Sequence, residues 1–254
     1  MMKTTNIITV TPENIRQSGV YCIKNPKHPG FKKKVAWYEK WYAQGHRMKI
    51  LKNEAGEQLG FIEYSHSEYA WRPILADNYY FIQCIFIYPK KNAGIGNASL
   101  LIQHCEEEAR AAGKNGLVTF SSKGTWLASP SLFAKNGFAA IKHKGRFELL
   151  VKKFREDAPE PGFVDWEASL PQYQGWHLIY ADQCPMHDKA ATDLKKTATE
   201  FNINLKIHKL NSPEEIRKAP SGFGVFSLVK DGELLEDHYI SKTRFKNIIA
   251  KLKN

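Results

Sequence analysis

Three groups of residues have the types and spacing to do chemistry. The first is Lys90 to Gly96, two lysines running into a Gly-x-Gly pair at Gly94 and Gly96. Glycines there let an anion approach the main chain and supply positive φ, and free backbone N–H groups at a following helix start would hold a phosphate. The loop therefore reads as a pyrophosphate cradle, with Lys90 and Lys91 adding mobile charge. The second group is Glu63 within Phe61-Ile62-Glu63-Tyr64, a carboxylate inside a core-strand pattern. Such a group can act as a general base, directly or through water. The third is Cys184-Pro185-Met186-His187, where a helix dipole would favour the thiolate of Cys184.

The elements that must position the cradle are clear in the pattern. Tyr80 to Ile87 is rich in aromatic and β-branched residues and reads as a strand, closed by Pro89. From Asn97 an amphipathic helix follows, with Leu100, Leu101, His104, Cys105, Glu108 and Ala112 on one side; its apolar members form a core-facing stripe. Gly113 ends it. Upstream, Asn6 to Val10 is a strand and Thr11-Pro12-Glu13 a helix start, with Thr11 as cap. Phe31 to Gln44 is helical, with Val35, Tyr38, Trp41 and Tyr42 sharing a face. Arg47 to Lys52 and Gln58 to His66 pair through a turn at Asn53 to Gly56. Ser67 to Asn78 is a loop holding Trp71 and Arg72, either lining a site or clamping the loop to the sheet. Leu117 to Phe120 is a buried strand, Trp126 to Asn136 holds a short helix, and Phe138 to Lys142 with Phe147 to Lys153 form a hairpin.

Lys91-Asn92-Ala93-Gly94-Ile95-Gly96 resembles the (Gln/Arg)-x-x-Gly-x-(Gly/Ala) loop of the GNAT acetyltransferases, after their hydrophobic-x-Pro strand end, here Ile87-Tyr88-Pro89. Ser131 to Phe138 (SLFAKNGF) resembles the family's Leu-Tyr-x-x-x-Gly-Phe segment. The likeness covers residues 6 to 154. It implies an α/β (α+β) fold with a central mixed, mainly antiparallel sheet, and acetyl-CoA as cosubstrate. Pyrophosphate binding then falls on Lys91, Asn92, Ala93, Gly94, Ile95, Gly96 and Asn97, and pantetheine pairing on Ile85, Phe86 and Ile87. Phe133 stands near the coenzyme where the family has a tyrosine that protonates the departing thiolate, and Trp126 replaces an asparagine. Tyr64, Tyr38, Cys84 or solvent would have to supply that proton. Glu63 is the candidate base, and Gln83 would orient the acceptor. Tyr38, Trp41, Tyr64, Trp71 and Arg72 are candidates for the acceptor pocket. The implied reaction is direct transfer of acetyl from acetyl-CoA to an amine, of a small molecule, through a ternary complex.

Arg155 to Gly175 changes character, with Pro159, Pro161, Gly162 and Pro171 and little periodicity, and reads as a linker docked through Phe163 and Trp166. From Trp176 the elements run β-α-β-α-β-β-α. That order, with Cys184-Pro185 at a helix start and Pro220 before the third strand, resembles a thioredoxin fold, and the whole chain resembles the bacterial YoaP-type acetyltransferases. The expected domains are 1–155, a linker 156–175, and 176–254 as a smaller accessory domain, a binding or dimerisation module. His187 in place of a second cysteine removes dithiol cycling. Two alternatives remain: a CoA-binding protein with weak or no catalysis, and a single-thiol redox or sensor protein centred on Cys184.

Composition sets the outer bounds. With 254 residues and 43% hydrophobic content, the chain can bury two modest cores. It holds no apolar run of membrane-spanning length and no signal-peptide pattern, so a cytoplasmic protein without a membrane partner is expected. Four scattered cysteines (Cys22, Cys84, Cys105, Cys184) form no CxxC, and no His/Cys spacing fits a metal. Cys84, in an apolar strand, reads as buried and inert. The net charge of +11 is spread rather than clustered. It suits the anionic end of CoA, and no nucleic-acid module accompanies it. A homodimer stays open.

Overall fold

The computed structural model describes residues 5–253; residues 1–4 and 254, the outer limits of the expected domains, lie outside them. The chain divides into two compact units. One takes the chain to Lys24, Tyr38–Ala70 and Ile74–Phe163; the other takes Asn25–Trp37, Trp71–Pro73 and everything from Val164.

The first unit is built on a mixed, mainly antiparallel seven-stranded sheet, as the motif order implies. Its strands are β1 (Thr5–Val10), β2 (Arg47–Asn53), β3 (Gln58–His66), β5 (Tyr80–Ile87), β6 (Gly116–Ser121), β7 (Ala139–Lys144) and β8 (Phe147–Lys153), in the order β1-β2-β3-β5-β6-β8-β7. Only β5 and β6 run parallel. A four-residue α1 (Ile15–Ser18) follows β1, then the longer α2 (Pro29–Tyr42), of which the residues up to Trp37 belong to the second unit. Helix α3 (Asn97–Ala111) crosses from β5 to β6, and α4 (Pro130–Ala134) precedes β7. One sheet face packs Leu51, Ile62, Ile82, Ile85, Leu117 and Leu150 under Leu101, Ile102, Cys105 and Ala109 of α3. The other carries Phe81, Val118, Phe120, Leu149 and Val151.

Local departures from the pattern have visible causes. Thr11 does not cap a helix. Its N–H donates to the Asn14 side chain, making a turn, and α1 begins only at Ile15. The short helix expected within Trp126 to Asn136 runs from Pro130, where the Ser129 side chain accepts from the N–H of Ser131 and sets the cap. The proline-rich stretch after Arg155 is not a free tether. Gly162–Phe163 (β9) pairs with Ile74–Leu75 (β4), Phe163 meets Phe120 edge-on at 5.0 Å, and the Tyr79 hydroxyl donates to Pro159 O at 2.7 Å.

The second unit holds β10 (Trp176–Tyr180), α5 (His187–Glu200), β11 (Leu205–Lys209), α6 (Pro213–Ile216), β12 (Phe226–Lys230), β13 (Glu233–Glu236) and α7 (Lys242–Lys253). Its sheet runs β11-β10-β12-β13, with β10 parallel to β11 and the other pairs antiparallel. Helix α5 begins at His187, so Cys184 lies in the turn ahead of the first helical residue. The carbonyl of Pro185 in that turn packs against Gly30 of α2, where a Cβ would sit 1.7 Å from the oxygen.

Candidate functional site

The cradle takes shape where β5 hands over to α3. After Pro89 a 3-10 turn, Lys90–Asn92, leads to Gly94 at φ +80° and Gly96 at φ +93°. Both are left-handed, a region that glycine occupies at no steric cost. Among the described residues, no protein group accepts from the N–H groups of Gly94 through Ser99; the first helical bond is Leu100 N–H to Gly96 O. Six consecutive main-chain donors at and just before the positive end of a 15-residue helix are thus left for solvent or a ligand. A Cβ added at Gly94 or Gly96 would meet nothing within 4 Å, so the space before the loop is open. Asn97 is tied down, its side-chain amide donating to Asn92 O at 3.0 Å. Lys91, Ala93 and Ile95 are exposed and Asn92 is half-buried.

Beside the cradle the sheet opens. Strand β5 pairs with β6 only through Tyr80, Phe81 and Ile82, where the Thr119 hydroxyl donates to Ile82 O at 2.9 Å. The parallel ladder with β6 ends there, and the rest of β5 runs on past it to Ile87. The register against β3 slips at the same place, with Glu63 opposite Cys84 but Tyr64 opposite Ile82, which leaves Gln83 as a bulge residue. The N–H of Tyr88 donates to Leu59 O at 3.1 Å on the β3 side. By antiparallel alternation Phe86 and Cys84 also bond to β3, so the main chains of Ile85 and Ile87 turn into the gap. Their side chains close the gap's inner face against α3.

Glu63 is not the exposed strand residue that the pattern allowed. Its carboxylate and the imidazole of His46 are both nearly sealed, with 2% and 1% of the side chain exposed, and Nε2 of His46 lies 2.9 Å from Oε1. The pair sits on the face opposite α3, with Cys84 beside Glu63 across the strands and Phe61 and Phe86 next along. Tyr38 stands by, its ring edge-on to His46 at 6.3 Å. The Tyr38 hydroxyl donates to Val10 O and accepts from Met48 N–H, and burial pushes its pKa far up. Sequence reading did not single out His46; its only signal was a histidine just past the helix-ending Gly45.

The other candidates scatter. Tyr64 faces α3, not Glu63: its hydroxyl donates to Glu108, and burial, with Cys105 and Glu108 nearby, drives its pKa far up. Buried Lys49 donates to the same carboxylate and to Thr9 Oγ1 at 2.9 Å. Burial works against the Glu108 anion, yet the Lys49 and Tyr64 hydrogen bonds hold its pKa below the ordinary value of 4.5. Phe133 lies in the core under α3, edge-on to Phe138 at 5.3 Å. Trp41 and Gln83 are buried, and Phe86 is exposed. Trp71 and Arg72 belong to the second unit rather than to the unit of the large sheet. They pack in the second unit, Trp71 edge-on to Trp37 at 5.0 Å and Arg72 over the Phe223 ring at 4.3 Å. There His187 is sealed with its Nδ1 3.1 Å from Ala181 O, and burial, with the Arg72 and Lys34 charges, pushes its pKa down to about 3. Its imidazole is neutral and turned inward. Among the described residues no cluster of His, Cys, Asp or Glu could hold a metal ion, and no helix is long and apolar enough to cross a membrane.

The fold and site thus define a mixed α/β unit with an anion-ready helix start beside an opened strand edge, followed by a smaller α/β unit. No family model matches the chain. The chain is 25% identical over 252 residues to the uncharacterized N-acetyltransferase YoaP of Bacillus subtilis (strain 168), covering 96% of this chain and 98% of that protein. Among solved structures it is similar to a GNAT family acetyltransferase from Brucella melitensis in complex with acetyl-CoA (17% identity, 64% of this chain and 97% of that one, TM-score 0.38). It is also similar to the PaiA N-acetyltransferase of Thermoplasma acidophilum in complex with coenzyme A (14%, 59% and 99%, TM-score 0.42).

Proposed function

We propose that the protein is an N-acetyltransferase that moves acetyl from acetyl-CoA to the amine of a small molecule. The observation that carries this reading is the run of six N–H groups from Gly94 to Ser99 that meet no protein acceptor among the described residues, next to a strand, β5, whose ladder with β6 ends at Ile82 and whose Ile85 and Ile87 lie beyond it. A pyrophosphate fits the donors, and an amide-bearing arm such as pantetheine can pair with the main chain of Ile85 and Ile87. The similarity to YoaP along nearly the whole chain points the same way.

In this reading acetyl-CoA supplies a thioester, and the chain supplies position and proton traffic. Main-chain N–H groups at the open edge polarise the thioester carbonyl. The amine attacks, the C–S bond breaks, and CoA leaves as thiolate. The proton lost from the amine passes to the Glu63–His46 pair, directly or through water. With Phe133 carrying no hydroxyl, the thiolate takes its proton from solvent. Transfer is direct, with no covalent enzyme intermediate. The second unit, thioredoxin-like by its element order, acts as an accessory binding module, and the whole works in the cytoplasm.

Calorimetric titration with acetyl-CoA and CoA, beside Gly94→Glu, tests the reading. Wild type should bind both, and the variant, with a carboxylate placed in the cradle, should bind neither. Release of CoA thiol over an amine panel, lost in Glu63→Gln, then identifies the acceptor. A wild-type protein that binds neither ligand refutes the proposal.

A further inference from the structure

Strand β5 turns Cys84 and Phe86 to the face that carries Glu63, away from α3. Cys84 lies opposite Glu63, Phe86 lies opposite Phe61, and Tyr88 continues the row, its ring stacked on Phe86 at 6.1 Å and 16°. These two stacked rings stay in solvent, Phe86 49% exposed and Tyr88 55%. Contiguous exposed apolar surface beside a reactive group marks a place for a ligand. The pair is also held. Tyr21 is buried at φ +57°, a conformation that bulky residues rarely adopt. Its ring lies 5.0 Å from that of Phe61 and edge-on to Phe86 at 6.3 Å. Its hydroxyl donates to Tyr88 O at 3.0 Å and accepts from Tyr88 N–H at 2.9 Å, an N–H shared with Leu59 O. A strained residue thus fixes the main chain that carries an exposed ring, which preorganises a surface.

We infer that Phe86 and Tyr88 are the platform for the acceptor, and that they select an amine joined by a short chain to an aromatic ring. The inference rests on the acetyl-transfer reading above and names the acceptor class of that site. Spacing sets the length of the chain. Phe86 is two residues from Cys84, about 7 Å along a strand, and Cys84 faces Glu63. A ring lying on Phe86 with a two-carbon arm therefore brings its amino group to the row of Glu63, the base in that reading. Charge argues against a polyamine. The rows Leu59, Phe61 and Glu63 on β3 and Cys84, Phe86 and Tyr88 beside them contain one carboxylate, Lys90 and Lys91 follow directly, and the chain carries +11. Tyr21 is a positioning residue, acting through Tyr88.

The test measures acetyl transfer at saturating acetyl-CoA to phenethylamine, propylamine and spermidine. Wild type should favour phenethylamine over propylamine about tenfold in kcat/KM, the scale of one ring contact, and over spermidine by more. Phe86→Ala should erase that preference by raising the phenethylamine KM with kcat little changed, and Phe86→Tyr should restore it. Tyr21→Phe keeps its ring and loses only the clamp on Tyr88, so the same KM should rise by less than in Phe86→Ala. Calorimetric titration with CoA reports whether Phe86→Ala is folded, and loss of CoA affinity in a variant with the circular dichroism of wild type would assign the ring to the coenzyme and overturn the inference. So would equal losses for all three amines, a wild-type preference for propylamine or spermidine, or a wild type that binds acetyl-CoA and acetylates none of them. An unchanged KM in Tyr21→Phe would overturn the role of the clamp. A wild type that binds no acetyl-CoA refutes the parent reading instead.

Discussion

Replacing Glu108 with leucine should cost the first unit roughly 2–3 kcal/mol. Lys49 is 3% exposed at its side chain and pairs with the Glu108 carboxylate, with Thr9 Oγ1 as a further acceptor. Removing one partner of a buried pair costs about 3–5 kcal/mol, because the other charge is stranded. Here 34% of the Glu108 side chain reaches solvent, so water recovers part of that cost. Tyr64 also loses its acceptor, adding a buried hydroxyl to the loss. In a chain of this size the thermal midpoint should fall by roughly 4–12 °C. Urea unfolding followed by far-UV circular dichroism would measure the change. The combination Lys49→Met, Glu108→Leu and Tyr64→Phe removes every stranded group and should recover most of the stability. Because the folded pKa of Glu108 is depressed, its contribution is full above the ordinary value of 4.5 and is lost as pH falls through the lower folded value. A single variant within about 0.5 kcal/mol of wild type, or a triple variant less stable than Glu108→Leu, would refute this account.

Two further outcomes follow from the packing. Gly30→Ala should destabilise the second unit despite a helix-propensity gain of about 1 kcal/mol, since its Cβ would lie 1.7 Å from a main-chain oxygen at Pro185; a raised unfolding midpoint would contradict this. His187, with its pKa pushed from 6.5 down to about 3, stays neutral when folded but takes a proton when unfolded. The second unit should therefore lose stability at up to roughly 1.4 kcal/mol per pH unit below 6.5. In His187→Leu, urea unfolding at pH 7 and pH 5 should show that slope reduced, and an unchanged slope would assign it to other groups.

Much of the frame was legible because its signals are local. Pro89, the Gly94–Gly96 pair and the helical stripe lie within one short segment, and the observed strand and helix follow them closely. The Lys49–Glu108 contact had a partial signal. Glu108 falls on the inward stripe, where a carboxylate needs a partner, but nothing local names a lysine on β2. The Glu63–His46 pair was hidden because it joins the residue just ahead of β2 to the neighbouring strand β3, a contact set by strand register rather than by local sequence. The packing of Trp71 and Arg72 was hidden for a different reason: these loop residues join a unit assembled from Asn25–Trp37 and the chain from Val164, segments distant from them in sequence.

The extra residue at Gln83 has a consequence for how β5 can vary. Side chains in a strand obey an odd–even rule, and the bulge reverses its parity midway. Tyr80 and Ile82 before it, and Ile85 and Ile87 after it, all point toward α3. Deleting Gln83 would restore plain alternation, with Ile82 inward, Cys84 outward, and Ile85 and Ile87 still toward α3, whereas deleting a residue farther along and keeping the bulge would turn the residues beyond it over. The strand is thus two half-strands of opposite phase in sequence that share one face in space, so the bulge itself can be lost without moving a core side chain to the other side of the sheet.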